Sequence, residues 1–125
     1  MHETQLPLFV YGTLMCGERA FGYLAKASVH WSPARLPKAA LYDLGAYPMA
    51  VAGKGTVVGE LHWLQSEGYA ALLQRLDRYE GREYWRVIRP VLLPDDVTAQ
   101  AWVYLGEPAY VAKHKLLADG DWRKR

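Results

Sequence analysis

The chain has little of several features that mark particular classes of protein. It contains one cysteine, Cys16, among 125 residues, which excludes an internal disulfide and favours a reducing compartment. The net charge is only +2, with basic residues scattered among acidic ones, a pattern untypical of nucleic-acid-binding proteins. No apolar run approaches the length of a membrane span. We therefore expect a soluble cytoplasmic protein with no nucleic-acid or membrane partner.

The start of the chain shows no targeting signal, and its last residues are basic. Met1–Gln5 lacks a basic region followed by an apolar one, so no secretory segment is expected. The last four residues, Trp122–Arg125, are basic. At a chain end such a run usually forms a solvated tail, and that is the prediction here.

The composition is that of a compact globular domain. Half of the residues are hydrophobic, and the length suits a single domain spanning residues 1–125 with a real core. Several strands surround one clear helix without regular strand–helix alternation, which favours the α+β class. Pro37 divides two of these strands, Gly45–Val51 is expected to be irregular, and Gly53–Gly55 to form a turn. The predicted strands are Leu6–Tyr11, Val29–Arg35, Lys38–Asp43, Val57–Trp63, Tyr84–Leu93 and Ala99–Leu105.

One amphipathic helix is predicted over residues 66–81. Ser66 is its candidate N-cap, and Gly81 is its candidate stop in the left-handed region. Apolar side chains recur at spacings of three and four along this segment. They are Tyr69, Leu72, Leu73, Leu76 and Tyr79.

Glu80 interrupts that apolar stripe. At 100° per residue it falls between Leu73 and Leu76 on the helical wheel. Core burial and the negative end of the helix dipole both disfavour the charged form, so we expect a pKa raised towards neutrality. Such a pKa suits a group that must accept and return a proton. The alternative is an ordinary helix-end residue that reaches water or pairs with Arg82 or Arg86.

The residues that follow the first strand are a second candidate feature. Gly12 and its neighbours in Tyr11–Leu14 are expected to leave backbone N–H groups unpaired as the strand ends. Such a turn can hold a carboxylate or an oxyanion. On local chemistry alone, an ordinary turn is the competing interpretation.

Taken together, several short motifs resemble the gamma-glutamylcyclotransferase-like family. They are Phe9–Leu14, Gly59–Leu61, and Leu76–Gly81 followed by Tyr84. The resemblance implies a mixed-strand, barrel-like α+β fold with one main amphipathic helix and short additional helices. It also implies an activity, the cyclisation of a γ-glutamyl group to 5-oxoproline with release of the attached amine or amino acid.

The resemblance assigns roles to particular positions. Glu80 matches the family's acid/base glutamate, and no metal or organic cofactor is implied. The histidines at positions 2, 30, 62 and 114 show no metal-ligand spacing. The implied substrate-binding residues are Tyr11, Gly12, Thr13 and Leu14, whose backbone cradles the glutamyl group, with Tyr47, Pro48 and Tyr84 lining the pocket.

Some roles and functions stay open at this point. Glu60 is equally a second pocket carboxylate or a structural ion-pair partner. Cys16 follows the loop closely, but without an adjacent histidine it is better interpreted as an ordinary thiol than as a nucleophile. Besides cyclisation of a small γ-glutamyl substrate, two other functions fit the same pocket. One is non-catalytic binding of a small carboxylate ligand, and the other is hydrolysis of a γ-glutamyl amide to glutamate.

Overall fold

The computed structural model describes residues 5–125. Residues 1–4, which include His2 and most of the N-terminal start for which no secretory segment was expected, lie outside this range. Three short 3₁₀ turns, at Phe21–Tyr23, Pro108–Val111 and Trp122–Lys124, accompany the main elements. Those elements are β1 (Leu8–Val10), β2 (Ser28–Asp43), β3 (Pro48–Leu64), α1 (Tyr69–Glu80), β4 (Trp85–Leu92), β5 (Thr98–Leu105) and β6 (Lys115–Leu116).

Five of the strands close into a barrel. Their order is β3-β1-β5-β4-β2, and pairing of β2 with β3 completes the ring, while β6 extends it beside β2. β1 is antiparallel to β3 and parallel to β5, and the other pairings are antiparallel. The sheet is therefore mixed and barrel-like, with one main helix. The α+β fold class, with this architecture, is confirmed.

β2 runs without a break through Pro37, so the prediction of two separate strands is wrong. Its register against β3 shifts between Pro37 and Ala39, and Lys38 between them has a φ of 59°. This bulge resets the inward alternation, since the buried residues are Ala34 and Leu36 before it and Ala39 and Leu41 after it.

β3 is also longer than predicted. Gly53–Gly55 is not a chain reversal but the other half of the bulge, because Ala52 pairs with Ala39 and Thr56 with Pro37. Gly53, Lys54 and Gly55 of β3 therefore lie opposite Lys38 of β2, and both strands continue on either side of the bulge. The stretch expected to be irregular becomes strand from Pro48 onward.

The helix carries the predicted apolar stripe but begins later than expected. Gly68, with a φ of 75°, precedes its first residue, and no side chain caps it, so the assignment of Ser66 as N-cap is wrong. Gly81 follows the last residue with a φ of 80° and a ψ of −167°. Its positive φ is as predicted, although the ψ lies outside the left-handed helical region. The Gly81 N–H donates to the Asp77 carbonyl at 3.1 Å.

Side chains of α1 fix it against the barrel. Leu72, Leu73 and Leu76 are buried in the core. Asp77 accepts from Arg86 of β4 at 2.8 Å and from the Tyr104 hydroxyl of β5 at 2.7 Å. These contacts hold the last turn of the helix, and so its final residue, in a fixed place on the sheet.

The C-terminal residues do not form a solvated tail. Trp122 is 2% exposed, and the carbonyl of Gly120 accepts from the Val58 N–H of β3 at 2.7 Å. The segment docks on β3 at Val58, which precedes Glu60, the first β3 residue that pairs with β1. The prediction from charge was wrong because burial of one large indole outweighs the solvation of its basic neighbours.

Candidate active site

A cavity of about 310 Å³ lies between the end of β1 and the end of α1. This volume falls at the lower end of the range for small-molecule sites. It is lined by all the residues that the sequence placed at the site, Tyr11, Gly12, Thr13, Leu14, Tyr47, Pro48, Glu80 and Tyr84. The remaining lining residues, which sequence reasoning did not select, are Phe9, Val10, Arg19, Tyr79, Gly81, Glu83 and Tyr104.

Glu80 lies in this cavity as a largely buried carboxylate. Burial raises its pKa from the ordinary 4.5 to about 7, because an apolar wall disfavours the ionised form. Within residues 5–125 no protein group hydrogen-bonds to the carboxylate and no cation pairs with it. Arg86, one of the two partners considered from sequence, is instead engaged by Asp77. The group is therefore free to exchange a proton with a bound molecule.

The loop that follows β1 is held in a tight curl. The Met15 N–H donates to the Gly12 carbonyl at 3.1 Å, and the Ala20 N–H donates to the Thr13 carbonyl at 2.9 Å. The Thr13 hydroxyl lies 2.8 Å from that of Tyr79, next to Glu80 in the chain. In the part of the chain described, the N–H groups of residues 12, 13 and 14 have no hydrogen-bond acceptor. The loop thus offers three adjacent free donors beside the cavity.

Tyr11 anchors the start of that loop. Its hydroxyl donates to the Tyr104 carbonyl at 2.6 Å and accepts from the Ala50 N–H at 3.1 Å. Burial, followed by the nearby charge of Glu80, raises the pKa of Tyr11 far above its usual range. The phenol therefore stays protonated with both hydrogen bonds engaged, and it is unsuited to act as the base.

Gly12 is required by close packing rather than by an unusual backbone angle. A Cβ at this position would lie 2.6 Å from Cγ of Pro48 and 2.8 Å from its Cδ. The Pro48 carbonyl in turn accepts from the Tyr84 hydroxyl at 2.6 Å. The loop, the first residue of β3 and Tyr84 therefore form one wall of the cavity.

Further aromatic and charged groups also line the cavity. The rings of Tyr47 and Tyr84 lie 6.3 Å apart. Arg19 donates to the Ala46 carbonyl at 2.6 Å, and Glu83 lies nearby in the lining. Tyr104 and Tyr79 reach the cavity because the β4–β5 pairing and the last turn of α1 place them there, which is long-range information absent from local sequence patterns.

Glu60 lies outside this cavity, in a separate cluster. It is 4% exposed, and one of its oxygens lies 3.0 Å from His62 Nε2 and accepts from the Cys16 N–H at 2.8 Å. The other oxygen accepts from Arg123 at 3.3 Å. Of the two roles considered, this arrangement is that of a structural ion-pair partner. We call these four residues the Glu60 cluster.

The Glu60 cluster contains potential metal ligands that spacing in the sequence did not reveal. The ligand atoms of Cys16, Glu60 and His62 lie within 4.8 Å of one another. Arg123, however, already supplies a positive charge to Glu60. Burial, then the Glu60 charge, raises the pKa of Cys16, so its thiol is neither activated as a nucleophile nor readily ionised as a ligand.

Comparison with known proteins gives matches over nearly the whole chain. The family model described as "Gamma-glutamyl cyclotransferase, AIG2-like" matches residues 8–124. A Vibrio cholerae protein, provisionally named a gamma-glutamylcyclotransferase, is 34% identical over 123 residues, covering 94% of this chain and 96% of its own. The gamma-glutamylcyclotransferase family protein YtfP of Escherichia coli is 33% identical over 120 residues, with the same coverage.

Solved structures share the fold. The protein YtfP from Escherichia coli aligns with a TM-score of 0.60 at 31% identity, covering 96% of this chain and all of its own. A mouse AIG2-like protein aligns with a TM-score of 0.66 at 23% identity, covering 82% of this chain and 78% of its own, which shows the fold alone. Among residues 5–125, no helix is both long enough and apolar enough to cross a bilayer.

Proposed function

The chain belongs to the gamma-glutamyl cyclotransferase, AIG2-like family, and on that premise we propose that it cyclises a small γ-glutamyl amide to 5-oxoproline. The observation that carries the proposal is the unpaired Glu80 carboxylate, with a pKa of about 7, in a cavity also lined by three residues whose backbone N–H groups have no acceptor. The carboxylate exchanges protons near neutral pH, and the N–H groups stabilise negative charge by hydrogen bonding. This reaction requires both.

Glu80 takes the role of general base and then of general acid. Its carboxylate removes a proton from the substrate's own α-amine as the nitrogen attacks the γ-carbonyl carbon. The resulting carboxylic acid returns that proton to the departing nitrogen as the C–N bond breaks. The five-membered lactam and a free amine leave, and Glu80 is again ionised. Positioned proton transfer of this kind contributes about 10²–10⁴ in rate.

The loop amides stabilise the charge that develops during the reaction. Attack on the γ-carbonyl converts its oxygen to an oxyanion, and the substrate also carries an α-carboxylate. The N–H groups of Gly12, Thr13 and Leu14 are the proposed donors to these oxygens. Preorganised donors in a cavity shielded from water act more strongly than the same groups in water.

The remaining lining residues hold the glutamyl chain in its folded shape. Tyr47, Pro48 and Tyr84 present largely apolar surface to the cavity, and Pro48 packs directly on the loop at Gly12. Because attacker and target belong to one molecule, holding a ring-like conformation removes much of the entropic barrier. The proposed reaction uses only side chains and backbone groups of this protein, together with its small-molecule substrate.

We expect 5-oxoproline when the protein is incubated with a panel of γ-glutamyl amino acids and γ-glutamyl amines. Product identity is measured by chromatography with mass detection, alongside a control without protein. Glutamate in place of the lactam would contradict cyclisation and favour hydrolysis. Thermal stabilisation by these compounds without any turnover would instead favour the binding-module function.

A further inference from the structure

The arginine of the C-terminal turn contacts both the loop after β1 and a buried carboxylate. Its Nε lies 3.4 Å from Glu18 Oε2, and its Nη1 lies 3.3 Å from Glu60 Oε2. Its Nη2 donates to the carbonyl of Cys16. Arg123 thus connects three points around the end of the loop that carries the free amides.

Glu60 contacts the same end of the loop, at the N–H of Cys16. Its Oε1 accepts from the Cys16 N–H at 2.8 Å and is also 3.0 Å from His62 Nε2, while His62 Nδ1 lies 2.7 Å from the Ser28 hydroxyl. Burial alone would raise the pKa of Glu60, but the hydrogen bonds from His62 and the Cys16 amide outweigh it and lower the value. The carboxylate therefore stays charged and keeps accepting.

Both backbone polar groups of Cys16 are thereby engaged. Glu60 holds its N–H, and Arg123 holds its carbonyl. At the opposite end of the loop, the buried hydroxyl of Tyr11 is fixed by two hydrogen bonds. The free amides of residues 12–14 lie between these two anchors. Their direction depends on both, because each N–H lies in a planar peptide group whose orientation is set by the flanking φ and ψ angles.

We propose that Arg123 and Glu60 are positioning residues that hold the loop amides in their charge-stabilising direction. This inference rests on the proposed function and assigns the docked C-terminal turn a part in it. Neither residue lines the cavity, so Glu60 acts through Cys16, and Arg123 acts through Cys16 and Glu18. The side chain of Arg123 is 42% exposed, but that of its partner Glu60 is only 5% exposed. Loss of Arg123 therefore removes one partner of a buried carboxylate and should lower stability, and displacement of the loop amides should appear in addition to that loss.

The experiment compares Arg123→Gln with Lys124→Gln, a matched loss of one positive charge from the same turn. For Arg123→Gln we expect kcat/KM to fall about tenfold, since small displacements of catalytic groups are costly. The midpoint of the pH–rate profile should not move, because Glu80 is untouched. Glu60→Gln, which keeps an acceptor for the Cys16 N–H, should show a smaller loss, and Lys124→Gln none.

A second measurement tests the positioning independently of turnover. In ¹H–¹⁵N spectra of the free protein, the amide signals of Gly12, Thr13 and Leu14 should shift or broaden in Arg123→Gln and stay in place in Lys124→Gln. Unchanged signals would overturn the inference, whether or not the protein is an active cyclotransferase. Shifted signals with wild-type kcat/KM in an active enzyme would overturn the catalytic part. A lower melting temperature together with reduced signal dispersion across the whole spectrum would assign Arg123 a merely structural role.

Discussion

Glu80→Gln is expected to lower kcat by about 10³-fold, because the amide side chain keeps the shape of the carboxylate but cannot accept and return a proton. KM should change little, since the cavity walls and loop amides remain. The measurement is the rate of 5-oxoproline formation on the best substrate of the panel. The matched control is Glu83→Gln, which removes another carboxylate from the lining of the same cavity and should keep the rate within about fivefold.

Although Glu80→Gln should lower the rate, it should raise the free energy of unfolding above about pH 7. The raised pKa means that the folded chain binds the Glu80 proton more tightly than the unfolded chain does between pH 4.5 and about 7. Stability of the wild type is therefore lost as the pH rises through this window. Above it, the variant should have the larger free energy of unfolding, by on the order of 1–3 kcal/mol. Wild-type activity in Glu80→Gln, or an equal loss in Glu83→Gln, would contradict the assigned role.

Gly12→Ala should have the second large effect. The added methyl group would lie 2.6 Å from the Pro48 ring, so the loop or the start of β3 must move. Overpacking of this kind costs about 1–3 kcal/mol in stability. The shifted amides should lower kcat/KM by about 10–100-fold. Urea unfolding and initial rates on the same preparation measure the two effects.

Gly22→Ala provides the control for this prediction. Gly22 has no neighbouring atom within 4 Å of the Cβ position, and its φ is not positive, so the same added methyl group should be tolerated. If Gly12→Ala matched the wild type in both rate and stability, the close packing of the loop on Pro48 would have no functional role.

The helix and its carboxylate were predictable from sequence because the information is local. The spacing of Leu72, Leu73 and Leu76 defines the buried face, and Glu80 follows from it by helical geometry alone. The β4–β5 hairpin was equally accessible, since Asp95 and its neighbours separate two aromatic and β-branched segments. The mixed barrel itself came from the family resemblance.

The features that sequence reasoning missed depend on contacts between distant segments. Pro37 and Gly53–Gly55 were predicted to interrupt the strands, yet Lys38 and Gly53–Gly55 together form one bulge in a continuous strand pair. Arg123 reads as part of a solvated tail, and only the burial of Trp122 brings it to Glu60. Glu60 was left between two roles because its partners lie up to 63 residues away in the chain. Local periodicity carries no information about such pairings.

The central claim is that a single unpaired carboxylate is kept half-neutral at physiological pH inside the cavity. A ¹³C NMR titration of the Glu80 side-chain carboxyl, assigned by comparison with Glu80→Gln, measures this without any assumption about substrate. We expect a midpoint at about pH 7, with ionisation and catalytic rate rising together through it. A midpoint near the ordinary value of 4.5 would mean that water or a cation reaches the group, and the proposed proton transfer would lose its physical basis.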